Sequence, residues 1–127
     1  MKNNSLKNLG ISVDTKTNET KFRRFGNSYS VTDLIKISSR YNTFELPIAG
    51  VDISINPWGD FNIKHFAYHM NRVLTSNLDY PIILDDSGFI CDGWHRLVKA
   101  IIDGKETIKA IRLPLMPEPI ESNTEES

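Results

Sequence analysis

The sequence predicts a single small α+β domain, and three observations carry that prediction. Apolar residues recur at helical spacing in three separate stretches. Between and after them lie runs that alternate or are continuously apolar, as strands do. Branched aliphatics are concentrated between residues 30 and 113 of the 127-residue chain, so one core is available.

The elements follow in order. Ser30 and Asp33 resemble a helix-start box, and Val31, Leu34, Ile35 and Ile37 behind them predict a helix over 31–40. In "TFELPIAGVDISI", Phe44, Leu46 and Ile48 and then Val51, Ile53 and Ile55 alternate, which predicts strand on both sides of a break at Ala49-Gly50. "NPWGD" is a loop, with Asp60 as the expected N-cap of a helix over 61–75. That helix places Ile63, Phe66, Ala67, Met70, Val73 and Leu74 on one face, expected to pack on the core. Ile82–Leu84 and Phe89–Cys91 flank the turn Asp85-Asp86-Ser87-Gly88 and predict a hairpin. A helix from Trp94 to Asp103 is expected to bury Trp94, Leu97, Val98 and Ile101, with Gly104 as its left-handed C-terminal residue. "ETIKAIRL" is the last strand, and Pro114 ends it.

Net charge is −1, but it is unevenly spread. Lys2, Lys7, Lys16, Lys21, Arg23 and Arg24 face only Asp14 and Glu19 at one end, while Glu118, Glu121, Glu125 and Glu126 form an acidic end with no base. The expected organisation is a largely flexible basic arm over 1–29, the domain over 30–114 and an acidic disordered tail over 115–127. Lys21, Phe22, Arg23, Arg24 and Phe25 are the densest basic patch, and nucleic acid is the partner such an arm would serve. Cys91 is the only cysteine, so no internal disulfide is available. No apolar run approaches the roughly 18 residues that span a bilayer, and the N-terminus lacks the apolar segment of a signal peptide. A cytoplasmic protein without membrane attachment is expected.

"CDGWHR", residues 91–96, gathers an acid, a glycine, an aromatic, a histidine and an arginine just before a helical run. A helix starting there leaves backbone N–H groups without intrahelical partners, and its dipole favours an anion. Gly93 permits close approach to the backbone, and Arg96 can grip a phosphate with two parallel bonds. Asp92 can hold a metal ion or accept a proton. The alternative makes Asp92 an N-cap, Gly93 a turn residue, Trp94 a core anchor, and His95 and Arg96 exposed helix polars. Elsewhere, His65 and His69 have the i, i+4 spacing of a metal pair, but both fall opposite the apolar stripe and are expected to be solvated. Trp58 either stacks on a ring-bearing ligand or covers the core edge. The Asp85-Asp86 turn is expected to be structural.

Residues 81–113, "PIILDDSGFICDGWHRLVKAIIDGKETIKAIRL", resemble the C-terminal half of the ParB/sulfiredoxin-like domain. "LPIAGVDISINP" and "DFNIKHFAYHMNRVL" resemble its opening strand, Pro-containing loop and next helix, so the likeness covers residues 44–113. The motif departs from the Gly-Glu-Arg-Arg of partition clamps, and Trp94 stands where sulfiredoxins carry their reactive cysteine. It is nearest to the Asp-Gly-His-His-Arg of free-serine kinases. The resemblance implies ATP or another nucleoside triphosphate held by Gly93, Trp94, His95 and Arg96. Asp92 and His95 would be catalytic, and Asp92 also a Mg²⁺ ligand. Glu45, Asp52 and Asp60 are unranked candidates for the general base. Three functions follow as expectations: nucleotide or phosphate binding with hydrolysis or phosphoryl transfer, a DNA-binding or nuclease module, and a non-catalytic partner-binding protein.

Overall fold

The computed structural model describes residues 21–59 and 62–122. Its architecture is α+β. A hairpin of β1 (Lys21–Arg24) and β2 (Asn27–Ser30) leads into α1 (Val31–Ser38). β3 (Phe44–Pro47), a single 3-10 turn (Ile48–Gly50) and α2 (Ile63–Leu74) follow. A second hairpin of β4 (Ile82–Leu84) and β5 (Ile90–Asp92) runs into α3 (Trp94–Ile102), then β6 (Thr107–Arg112) and the short β7 (Glu121–Ser122). The main sheet has the order β3-β6-β4-β5, with β4 and β6 parallel and the outer pairs antiparallel. A smaller sheet has the order β1-β2-β7.

The main sheet is covered on both faces, which is why β4 is apolar throughout. Ile82 and Leu84 point to one side, into a cluster with Ile90, Leu97, Ala100, Ile108 and Ala110 under α3. Ile83 points to the other, joining Cys91, Leu113, Leu34 of α1 and Tyr29 of the first hairpin. α1 begins as expected, with the Ser30 hydroxyl accepting from the Asp33 N–H at 3.3 Å. α3 closes with Gly104 at φ 73°, where Lys105 N–H reaches Ala100 O and Gly104 N–H reaches Ile101 O.

Five expectations are corrected. The basic arm through residue 29 is a folded hairpin from Lys21 onward, because Tyr29 and Ser28 are buried and Arg24 is tied to the β4–β5 turn. Residues 115–122 likewise run back along that hairpin, with Ile120 N–H on Ser28 O and β7 paired to β2. Residues 51–55 form no strand: β3 is the edge of the sheet, and beyond the 3-10 turn Ile53 and Ile55 stand exposed without a partner strand. The apolar stripes of α2 and α3 are only partly used. Val73 is buried, and Ala67 and Met70 are half-buried, but Ile63 is 87% exposed and Phe66, Leu74 and Ile101 are also exposed. α2 packs chiefly on α3 and so covers a narrower stripe than a helix lying flat on a sheet. Its N-cap is Asn62, whose side chain accepts from His65 N–H; Asp60 lies outside the described residues.

The Asp85-Asp86 turn joins the two hairpins. Asp85 is fully buried and accepts from the N–H groups of Ser87 and Phe89, each at 2.8 Å, and from Arg24 Nη1 at 2.9 Å. Arg24 also pairs with Asp86, whose backbone oxygen accepts from Arg112. Among the described residues no helix is long and apolar enough to cross a membrane.

Candidate functional site

β5 ends at Asp92 and α3 starts at Trp94, so one residue must turn the chain between them. Gly93 does so at φ 111° and ψ 17°, a conformation that residues with a side chain rarely adopt. A Cβ at this position would lie 2.5 Å from Ile82 Cγ2 and 3.0 Å from Ile82 Cα. The glycine is therefore required by the packing of α3 on β4. No side chain caps α3, and Asp92 is not its N-cap. The Asp92 carboxylate instead accepts from Arg96 Nη2 at 3.1 Å, one turn along.

His95 is not an exposed helix polar. Its Nε2 lies 2.8 Å from Nδ1 of His69, which reaches it from α2. The ring centroids are 5.1 Å apart with 20° between planes, so the imidazoles lie edge to edge in nearly one plane. Trp58 covers both, at 4.3 Å and 19° from His69 and at 4.9 Å and 16° from His95. Tyr68 meets His69 edge-on and accepts a hydrogen bond from Arg72 Nη1 at 3.0 Å. The expectation that His69 is solvated is thus overturned, while His65 is exposed as expected. Both members of the pair are held neutral. Burial lowers the His95 pKa to about 4, helped by the cationic Arg72, by the neighbouring His69 and by Arg96. Burial also lowers that of His69, helped by Arg72 and His65.

These groups line a cleft of about 580 Å³. One wall carries Asp92, Gly93, Trp94 and His95; α2 supplies Tyr68, His69 and Arg72; Lys21, Phe22 and Arg23 of the first hairpin lie opposite, with Trp58 from the loop. A second hollow of about 230 Å³ adjoins it, lined by Arg72, Thr75, Ser76, Asn77, Asp92, Gly93, His95 and Arg96. Arginines from two helices therefore meet at the uncapped start of α3. Cys91 also borders the cleft but is buried, which pushes its thiol up to about 12.

The structure thus brings together Asp92, Gly93, Trp94, His95, Arg96 and Trp58, but not Glu45 or Asp52, two of the acids proposed as base; the third, Asp60, lies outside the described residues. Glu45 lies on β3, where it accepts from Thr107 Oγ1 at 2.8 Å. Asp52 accepts from the N–H and hydroxyl of Ser54, which hold its carboxyl below the usual range. Neither lines the cleft. Of the basic patch, Lys21 and Arg23 face the cleft, whereas Arg24 faces Asp85. Arg72 is a residue that sequence reasoning missed, and His69 was weighed only as a metal partner of His65. Their only signal is the one-turn spacing that places both on the same side of α2. Among the described residues no three His, Cys, Asp or Glu side chains gather as a metal site. No known protein family, curated protein or solved structure matches the chain.

Proposed function

We propose that the protein binds a phosphate-bearing ligand, a nucleoside triphosphate with its magnesium, in the cleft at the start of α3. One observation carries this reading: Arg72 and Arg96, from different helices, line one hollow with an uncapped helix N-terminus. Such a hollow offers bidentate donors and the positive end of a dipole to the same anion. The cleft is of ordinary size for a small-molecule ligand. Trp58, Tyr68 and Trp94 give it flat apolar surface beside the cations. Asp92 is the one carboxylate on its described wall for magnesium carried by the phosphates, since that ion commonly takes one or two protein carboxylates. The likeness of residues 44–113 to the ParB/sulfiredoxin-like domain favours the same ligand, and a cytoplasmic setting suits it.

The test is thermal unfolding with ATP, GTP, CTP and UTP, each with and without magnesium. A ligand at a hundred times its Kd adds about 2.7 kcal/mol, which raises the midpoint of a small domain by roughly 10 °C or more. Arg72→Ala is expected to abolish the rise. If no nucleotide shifts the midpoint, the reading fails. A second reading, nucleic-acid binding, is favoured by Lys21, Phe22 and Arg23 on the opposite wall. It predicts affinity for single-stranded DNA that falls steeply with salt and is weakened by Arg23→Ala.

A further inference from the structure

The only carboxylate on the described walls of the cleft, Asp92, is engaged by Arg96. Among the described residues, then, no unengaged carboxylate borders the cleft. The cleft does have two imidazoles. We infer that His69 and His95 together form the proton acceptor of the cleft, a two-imidazole base for hydrolysis of a bound nucleoside triphosphate. This rests on the phosphate-binding reading and adds the reaction to it.

The geometry supports the assignment in three ways. Between Nδ1 of His69 and Nε2 of His95, 2.8 Å apart, there is room for one proton. Two neutral rings carry two protons in all, so one ring nitrogen outside the shared bond is unprotonated: Nδ1 of His95 or Nε2 of His69, according to which ring donates. A proton taken up there leaves the shared bond intact and makes it charge-assisted, so the second ring stabilises the new charge. Finally, Trp58 lies across both rings and fixes them in one plane. The charged groups around the pair set its poise. Arg72 and His65 from α2 and Arg96 from α3 oppose its protonation, so the pair is neutral at neutral pH and a weak base until an anion binds beside it. Lys21 and Arg23 add positive charge from the facing hairpin, and Asp92 is the one acid on the described walls. Bound phosphates supply the negative charge that offsets the imidazolium as it forms.

The step balances as a simple hydrolysis. The water oxygen bonds to the terminal phosphorus as the bond from that phosphorus to the bridging oxygen breaks. The electron pair of that bond leaves on the diphosphate. One water proton moves to the unprotonated ring nitrogen and later passes to solvent, and nothing is oxidised or reduced.

The experiment measures binding and phosphate release with the four magnesium nucleotides for the native chain, His69→Asn and His95→Gln. These substitutions keep a polar atom near the ring nitrogen used in the shared bond but cannot take up the proton. At saturating nucleotide both are expected to release phosphate ~100-fold or more slowly than the native chain, the lower end of what a general base contributes. Native turnover is expected to fall on the acid side as the pair gains its proton. Unchanged turnover in the two variants overturns the assignment and shows the pair to be structural. Nucleotide binding without phosphate release by the native chain also overturns it, while leaving the binding reading intact. Absence of nucleotide binding overturns both.

Discussion

Replacing Gly93 by alanine builds a methyl carbon 2.5 Å from Ile82 Cγ2 and 2.8 Å from Ile82 Cβ, in a backbone already at φ 111°. Two costs add. Left-handed backbone costs a residue with a Cβ roughly 1–2 kcal/mol. Overpacking a filled core typically costs about 1–3 kcal/mol more. The sum, about 2–5 kcal/mol, is a large part of the stability of a small domain. At about 4–8 °C per kcal/mol, the thermal midpoint falls by at least roughly 8 °C. Ile82→Ala is expected not to rescue the variant, because Ile82 Cβ and Cα, at 2.8 and 3.0 Å, both remain. Urea unfolding of native and variant chains measures the loss directly. A variant within about 0.5 kcal/mol of native would refute the packing argument, since surface changes are of that size. If such a stable variant also lost nucleotide binding, Gly93 would be serving the ligand and not the fold.

Three further outcomes are expected. His95 stays neutral in the fold down to about pH 4, whereas unfolded it takes its proton near 6.5. The unfolded state then binds more protons between those values, so stability falls as pH is lowered through that window. His95→Gln flattens the slope, leaving a residue of the same sign from His69, and urea midpoints across pH 4–7 check it. Arg24→Met leaves the fully buried Asp85 without its cation but with its two N–H donors, so a loss of about 3 kcal/mol is expected, the low end for a broken buried pair. A loss under about 1 kcal/mol in urea unfolding would refute the role given to that pair. Finally, burial holds the Cys91 thiol protonated, so iodoacetamide at pH 8 labels it far more slowly in the native chain than in urea; equal rates would contradict its burial.

Much of the main domain was legible because its signals are local. The Ser30 cap, the continuously apolar β4, the Asp-Ser-Gly turn after it and the Gly104 helix stop each act through neighbours a few residues away. Residues 51–55 misled because alternation reports suitability for a sheet and not the presence of a partner strand. The stripe of α2 misled because helical spacing does not say whether a sheet or another helix will cover it. Asp92, Gly93, His95 and Arg96 were found as a cluster, but not the contacts they make: Asp92 accepts from Arg96, and Gly93 answers to the packing of Ile82.

The sequence by itself determined the α+β class, the two helices that form the cleft and the chemistry concentrated at residues 92–96. Only the tertiary structure decided that His69 meets His95 across 26 positions, that Trp58 covers both, and that the first hairpin closes the opposite wall. The physical reason is the range of the forces involved. Caps, turns and periodicity are satisfied within a few residues of chain, whereas a hydrogen bond between helices exists only once their packing has set the distance.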